Sequence, residues 1–183
     1  MNANAQSMPF DPEALGRKYQ EERDKRLRAD GNDQYQEVTG EFAYFVEDPY
    51  IDSELKRDAI EDEVEVVIIG GGFGGMLAAA RLHDAGLTDF RLIEKGGDFG
   101  GTWYWNRYPG AQCDIESYCY LPLLEEIGYM PKEKYSYAPE IFEHTRRVGE
   151  YFNLYDKALF QTRVREVRWL EDEQVWQIAT QRE

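Results

Sequence analysis

The distribution of apolar and polar positions divides this chain near Val64. The preceding residues are mostly polar and acidic, and they carry only a weak apolar pattern. Residues 11–13 (Asp-Pro-Glu) predict the start of a helix, because Asp caps helices, Pro suits the first turn and Glu is favoured by the helix dipole. We expect this helix to run to Arg28. We interpret residues 1–62 as a polar N-terminal extension, mainly helical or irregular, and place a folded domain in residues 63–183.

After the extension, the pattern predicts one βαβ unit. Residues 64–69 are a nearly continuous run of β-branched residues, which is typical of a parallel strand covered on both faces. A glycine-rich break follows at residues 70–75. Residues 76–82 are strong helix formers, and Gly86 is a suitable C-terminal cap. Residues 90–94 form a second strand-like run, so the segment reads as strand, glycine loop, helix and strand.

The second half of the chain predicts a helix and a hairpin. Apolar residues recur at helical spacing over residues 141–152, with Pro139 near the predicted start. Two strand-like runs, residues 164–170 and 175–180, flank an acidic turn and predict an antiparallel hairpin. The predicted fold class is therefore α/β: a Rossmann-like three-layer domain with a parallel sheet and a small antiparallel hairpin. No closing strand follows the hairpin, so we expect a sheet that is incomplete at its C-terminal end.

Composition narrows the possible partners. The chain has 183 residues and a formal net charge of −15, which disfavours binding to nucleic acid or to an anionic membrane surface. No apolar run approaches the roughly 20 residues that span a bilayer, and the N-terminus has no apolar signal core. These features predict a cytoplasmic chain that binds neither nucleic acid nor membranes.

Cysteine and histidine usage predicts no metal site. Cys113 and Cys119 are six positions apart, which matches neither a CxxC redox pair nor a zinc-ligand spacing. We expect both to be buried free thiols. His83 and His144 fall in predicted helices, where we expect structural or surface roles.

The glycine-rich break carries a dinucleotide fingerprint. Gly70, Gly72 and Gly75 satisfy G-x-G-x-x-G between a predicted strand and a predicted helix. The first glycine permits the tight turn, the second allows the backbone to approach a pyrophosphate, and the third allows close packing of helix and strand. The phosphates would lie at the helix N-terminus, where free N–H groups favour negative charge. Phe73 and Gly74 belong to the same loop and are further candidate cofactor-binding residues.

An acidic residue ends the second predicted strand. The carboxylate of Glu94 can accept both hydroxyl protons of an adenosine ribose and would repel a 2′-phosphate. This favours FAD or NAD over NADP at this first site. The neighbouring Lys95 is a candidate contact, and a solvated carboxylate at the strand end is the alternative for Glu94.

Residues 100–110 (Gly-Gly-Thr-Trp-Tyr-Trp-Asn-Arg-Tyr-Pro-Gly) form an unusual loop, followed shortly by Cys113-Asp114. Its aromatic residues are costly to expose, so the loop indicates a surface for a large, planar and partly charged ligand. Core packing is the alternative for the aromatic side chains, and an ion-paired scaffold role is the alternative for Arg107.

The motif G-G-T-W-Y-W-N-R-Y-P-G-A-x-C-D-I-E-S resembles the type I Baeyer–Villiger monooxygenases. The resemblance is strong from Val64 to about Tyr120 and looser beyond. Enzymes of that family use FAD, NADPH and O2 to insert an oxygen atom beside a ketone carbonyl. The resemblance implies that FAD is the cofactor here, whereas NADPH, O2 and a small-molecule ketone would act only in a full-length enzyme.

The resemblance also assigns roles to individual residues. It places the fingerprint glycines at the FAD pyrophosphate and Glu94 at the adenosine ribose. Asp114 matches an acid that lies by the flavin and positions a catalytic arginine, which makes it the one catalytic candidate. The remaining candidates would line the pyrophosphate or the flavin: Gly101, Thr102, Trp103, Trp105, Arg107, Tyr108 and Tyr120.

The chain also departs from the family pattern. It has no second G-x-G-x-x-G, no F-x-G-x-x-x-H-x-x-x-W signature between domains and no segment that would supply the arginine served by Asp114. The resemblance therefore implies an N-terminal fragment or truncated product that is inactive alone. Three alternatives remain: an N- or S-oxidising flavin monooxygenase, a truncated non-catalytic nucleotide-binding or interaction protein, and, least supported, an NAD-dependent dehydrogenase.

Overall fold

The structure, a computed structural model, describes residues 10–36, 38–51 and 56–182. The chain divides into two compact units, Met1–Val46 and Glu47–Glu183. The domain boundary expected after residue 62 stays a prediction, because the division into compact units does not test it.

The first unit contains helix α1, Pro12–Asp24, and two short 3-10 helices, Gly31–Gln34 and Gly40–Val46. The helix begins where the sequence predicts: the Asp11 side chain accepts a hydrogen bond from the Glu13 N–H at 2.9 Å. It ends before the predicted Arg28, however. None of its residues is buried, so no buried apolar side chain stabilises a further helical turn after Asp24.

The second unit contains the predicted βαβ segment. Strand β1 is Val66–Ile69, helix α2 is Phe73–Asp84 and strand β2 is Phe90–Ile93. The strands are parallel, with Val66 opposite Phe90. A two-residue strand, β3 (Ala158–Leu159), pairs in parallel with the other side of β2, which gives the order β1-β2-β3. This arrangement confirms the α/β, Rossmann-like class.

Strand β1 is less buried than its sequence predicts. Ile69 is 56% exposed, and the other three residues of the strand are partly exposed. The reason is topological: within the described residues, β1 pairs only with β2 and lies at the edge of the sheet. The expectation of a strand covered on both faces is therefore wrong for β1, whereas Leu92 of β2 is fully buried.

Four α-helices lie between β2 and β3 in sequence: α3 (Thr102–Trp105), α4 (Ser117–Tyr120), α5 (Leu124–Ile127) and α6 (Ala138–Tyr151). The last has Pro139 in its first turn, as the sequence predicts. Strands β4 (Thr162–Leu170) and β5 (Val175–Arg182) form the predicted antiparallel hairpin.

Two apolar clusters form the core of this unit. The first lies where α2 and α6 meet the sheet and contains Met76, Leu92, Phe99, Val148 and Leu154. The second surrounds the aromatic helix α3 and the start of α6, and contains Trp103, Ala111, Cys113, Leu121, Ala138 and Ile141. Gly71 lies close to Phe99 of the first cluster, and Gly100 lies close to Phe142, which packs against the second.

The cysteine prediction is half correct. Both thiols are free, but only Cys113 is buried, whereas Cys119 is exposed on α4. The short α4 buries only Ser117, so the side chain of Cys119 faces away from the core. His83 lies exposed on α2, and His144 is fully buried on α6, where its Nε2–H donates to the Pro122 carbonyl at 2.7 Å.

The described residues contain no group of three His, Cys, Asp or Glu side chains placed to hold a metal ion. Among the helices of residues 10–36, 38–51 and 56–182, none is long and apolar enough to cross a membrane.

Gly75 allows a direct test of the βαβ geometry. A Cβ at this position would lie 1.9 Å from the Gly70 carbonyl oxygen, whereas a Cβ on Gly74 would meet nothing within 4 Å. We expect Gly75→Ala to lower the free energy of unfolding by about 2–3 kcal/mol through steric strain. The matched Gly74→Ala should change it by less than about 1 kcal/mol. Urea unfolding followed by circular dichroism measures both, and equal midpoints would contradict this packing.

The buried His144 should make the free energy of unfolding depend on pH. Burial lowers its pKa below the ordinary 6.5, and Arg147 acts in the same direction, while Glu140 and the bond to Pro122 partly oppose them. The unfolded chain therefore binds a proton more readily than the folded chain. We expect stability to be retained above about pH 6.5 and lost as the pH falls below that value. Urea unfolding of the wild type and His144→Gln across this range measures the effect, and parallel profiles would contradict it.

Candidate functional site

The first glycine loop forms a tight turn between β1 and α2. Gly70 has a φ of +104°, a conformation that L side chains rarely adopt, and its N–H donates to the Ile93 carbonyl at 2.8 Å. Gly72 is the N-cap of α2, and no side chain in the described part of the chain caps that helix. The first N–H groups of a helix have no partner within the helix, so those of α2 remain available to a ligand.

The second glycine loop packs against the first through backbone contacts. The Gly100 N–H donates to the Gly71 carbonyl at 2.9 Å. Gly101 has a φ of +52°, and a Cβ there would lie 2.9 Å from the Cα of Gly72. Gly101 therefore has no room for a larger residue facing Gly72, whereas a Cβ on Gly72 would make only ordinary contacts with Gly101, at 3.5 Å or more. The fingerprint glycines and the predicted Gly101–Trp103 segment therefore lie side by side, and Thr102 begins α3 directly after them.

Glu94 connects the first glycine loop to the turn that follows β2. The residue is only 7% exposed. Its Oε2 accepts a hydrogen bond from the Gly71 N–H at 2.6 Å, and its Oε1 accepts one from the Gly96 N–H at 2.7 Å. Sequence analysis leaves a solvated carboxylate as the alternative for this residue, and its burial excludes that alternative. Each oxygen retains capacity for a further donor, because a carboxylate offers about four acceptor sites.

Three of the predicted residues form an aromatic cluster. The Trp103 Nε1–H donates to the Tyr120 hydroxyl at 2.9 Å, and the two rings meet edge to face with centroids 5.9 Å apart. Phe73, the first residue of α2, packs edge to face on Tyr120 at 5.6 Å. The cluster thus joins α2, α3 and α4 beside the glycine loops.

Lys95 and Trp105 form a second pair of predicted residues. The Lys95 Nζ lies 4.9 Å from the centre of the Trp105 ring, within the range of a cation–π interaction. Both residues are partly exposed.

Tyr108 and Asp114 are not joined to the rest of the predicted site. Tyr108 is 63% exposed, and Asp114 is exposed as well. In the described part of the chain, neither side chain makes a hydrogen bond, an ion pair or a ring contact with another predicted site residue. Their proposed positions near the flavin stay predictions.

Sequence reasoning missed a set of contacts made by the segment before residue 52. Asp48 accepts hydrogen bonds from the Gly97 N–H at 3.0 Å and from the Tyr104 hydroxyl at 2.6 Å. The Tyr50 hydroxyl donates to the Trp105 carbonyl at 3.2 Å. Short polar segments of this kind carry no periodicity or motif. The only local signal is the glycine pair at 96–97, which would allow another segment to approach the backbone closely.

Arg107 has an unexpected environment. Its guanidinium lies over three rings, at 4.0 Å from the centre of Tyr50, 4.7 Å from Tyr104 and 4.6 Å from Phe142, and its Nε–H donates to the Tyr104 carbonyl at 2.8 Å. Among the described residues, Arg107 therefore contributes to the scaffold through aromatic stacking and makes no ion pair. The pKa of the Tyr104 hydroxyl is raised, first by burial and then by its bond to Asp48.

Comparison with known proteins identifies the family. A family model described as "NAD(P)-binding Rossmann-like domain" matches residues 68–158. Baeyer-Villiger monooxygenase ATR8 of Stachybotrys chlorohalonatus is 51% identical over 179 residues, covering 97% of this chain and 29% of the relative. Over nearly its whole length, this chain matches the N-terminal part of Baeyer–Villiger monooxygenases. It spans about 29% of the length of the curated relatives it matches.

Solved structures of the family share the fold. The polycyclic ketone monooxygenase of Thermothelomyces thermophila matches with a TM-score of 0.75 and 39% identity, over 92% of this chain and 28% of that one. A structure of OTEMO in complex with FAD and NADP matches with a TM-score of 0.61 and 33% identity, over 66% of this chain and 23% of that one. The resemblance inferred from the aromatic loop is thereby confirmed.

The Glu94 bridge yields a test of the site's architecture. Glu94→Gln keeps the side-chain length but places an amide N–H₂ opposite the N–H of either Gly71 or Gly96. We expect a loss of about 2 kcal/mol in the free energy of unfolding, because one buried donor is left unpaired. Glu65→Gln is the control, since Glu65 is exposed and the same charge is removed.

Urea unfolding gives the energies, and amide hydrogen exchange identifies which glycine N–H loses protection. Equal stability of the two variants, with unchanged exchange at Gly71 and Gly96, would show that Glu94 does not support the loops.

Proposed function

We propose that this chain binds FAD across its two glycine loops and serves as the FAD-binding part of a Baeyer–Villiger monooxygenase. The observation that supports this most directly is the backbone contact between Gly72 and Gly101 at the uncapped start of α2. Two side-chain-free loops at a helix N-terminus form a cradle for a pyrophosphate, which binds through backbone N–H groups.

The start of α2 suits the pyrophosphate sterically as well as electrostatically. A Cβ on Gly74 would meet no atom within 4 Å, so space remains open beside the first helical turn. The helix dipole adds a partial positive charge at that end. Phosphate oxygens can therefore approach the N–H groups of Phe73 and Gly74 without displacing any side chain of the described residues.

Glu94 is assigned to the adenosine ribose. Its two oxygens already accept hydrogen bonds from Gly71 and Gly96, so the ribose hydroxyls would use the remaining lone pairs. The glycine bonds hold the carboxylate in one orientation before the nucleotide arrives. A preordered acceptor loses less entropy on binding than a mobile one.

The aromatic residues are assigned to the flavin end. Trp103 and Tyr120 pack on each other beside the second glycine loop, and Trp105 extends the apolar surface along α3. Asp114 is exposed, and its side chain makes no hydrogen bond or ion pair with the described residues, which suits a carboxylate that meets a cation supplied from another segment. In this role Asp114 would orient an arginine rather than touch the substrate.

For the whole enzyme we propose oxidation of a ketone to an ester or lactone. Bound FAD would supply the redox chemistry that transfers one oxygen atom from O2, with electrons from NADPH. Most of the length of the relatives lies outside the part that this chain matches. We assign NADPH and ketone binding to the unmatched remainder. The residues described above would bind and orient the cofactor. A cytoplasmic location, without nucleic-acid or membrane partners, is part of the same proposal.

The FAD assignment is tested by incubating the purified chain with FAD, desalting it and recording the visible spectrum. We expect the flavin absorption bands to remain with the protein. Gly74→Asp should lower the affinity for FAD by about 10-fold or more, because a carboxylate at the helix start repels the pyrophosphate. The same charge favours the helix dipole, so the fold should be retained.

Gly74→Asn is the matched control, since it has nearly the same shape without the charge. It should bind FAD more tightly than Gly74→Asp. A folded wild-type chain that retains no flavin would overturn the proposal. Equal affinities of the Asp and Asn variants for FAD would show that the pyrophosphate does not bind at the start of α2.

A further inference from the structure

Asp48 lies in a segment that sequence reasoning assigned to the polar extension, yet it contacts two parts of the candidate site. Its Oδ2 accepts hydrogen bonds from the Gly97 N–H at 3.0 Å and from the Tyr104 hydroxyl at 2.6 Å. Its Oδ1 accepts a hydrogen bond from the Tyr50 N–H at 2.9 Å. One carboxylate thus receives three donors and joins the turn after Glu94 to helix α3.

Tyr104 is the residue through which Asp48 reaches the cofactor-facing segments. It is 2% exposed and lies in α3 between Trp103 and Trp105. Its hydroxyl also accepts a hydrogen bond from the Gly97 N–H at 2.9 Å. Its ring packs so closely on Gly96 that a Cβ there would lie 2.9 Å from a ring carbon.

The packing around Gly97 shows how closely the 48–51 segment approaches α3. A Cβ on Gly97 would lie 2.6 Å from the Ile51 side chain and 2.8 Å from the Tyr104 hydroxyl. Only glycine fits between the 48–51 segment and α3. The Tyr50 hydroxyl adds a second connection by donating to the Trp105 carbonyl at 3.2 Å.

We propose that Asp48 is a positioning residue for the cofactor: through Tyr104 it fixes α3 against the turn that carries Glu94. This inference rests on the proposed FAD site and extends it to a residue that would not touch the cofactor itself. Three donors converge on Asp48, so the carboxylate holds one geometry of the 94–105 segment rather than merely filling space. Loss of the carboxylate would allow Trp103 and Glu94 to shift relative to each other.

The test compares Asp48→Asn with Glu47→Gln. An asparagine cannot accept all three donors, because one of its two polar atoms is itself a donor. Glu47 is exposed and makes no hydrogen bond or ion pair within the described residues, so its variant removes the same charge without touching the site. We expect Asp48→Asn to weaken FAD binding by about 10-fold, measured by titration of flavin fluorescence. Glu47→Gln should bind as the wild type does.

A second readout separates positioning from general stability. Visible circular dichroism of flavin, recorded at saturating FAD, reports the asymmetric surroundings of the bound ring. A variant that is only less stable would give the wild-type spectrum once it is folded and saturated. We expect an altered spectrum for Asp48→Asn and an unchanged one for Glu47→Gln.

Tyr104→Phe covers the case in which Asp48→Asn does not fold. It removes only the hydroxyl and keeps the ring packing on Gly96. We expect the same change in the flavin spectrum, and little further loss when the two substitutions are combined, because they break one connection.

The outcomes distinguish the two proposals. If the wild type binds FAD and either folded variant gives wild-type affinity and spectrum, the positioning role of Asp48 is overturned while the FAD site stands. If the folded wild type retains no flavin, the FAD site fails and this inference fails with it.

Discussion

The candidate site depends on one buried carboxylate. Glu94 accepts the N–H groups of Gly71 and Gly96, and so joins the loop before α2 to the turn after β2. A buried carboxylate is costly unless its charge is met by donors, and backbone N–H groups in glycine turns meet it without adding bulk. Glycine suits these turns because the carboxylate must reach the backbone N–H groups, and the proposed nucleotide would have to approach the same backbone.

Short-range contacts connect the turn after Glu94 to the rest of the candidate site. Gly96 lies against the Tyr104 ring, and the Tyr104 hydroxyl and the Gly97 N–H both donate to Asp48. Helix α3 has only four residues, too few to hold its own geometry in water. Its orientation is therefore supplied by tertiary contacts: the Gly100 loop at one end and the 48–51 segment along its side. A site built on so short a helix requires a scaffold of this kind.

The sequence was sufficient wherever the signal is local. The glycine-rich break between strand and helix, the cap at Asp11 and the two strand-like runs around the acidic turn each depend on neighbouring residues, and each element is found in the structure. Long-range features were not predictable in the same way. The exposure of Ile69 follows from which strands lie beside β1, and the contact of Asp48 with Tyr104 joins residues far apart in the chain. Neither leaves a periodic trace in the sequence.

The two ends of the proposed cofactor site differ in how firmly the described residues are held in place. At the pyrophosphate and ribose end, the glycine loops and Glu94 are held by hydrogen bonds within this chain. At the flavin end, Trp103 and Tyr120 are packed, whereas Tyr108 and Asp114 are exposed and make no contact with them. A dinucleotide bound here would be anchored mainly by its phosphates, and ordering of the flavin-side residues would cost part of the binding energy. In the proposed complex, the spectrum of bound flavin would therefore be more sensitive to the scaffold around α3 than retention of FAD alone.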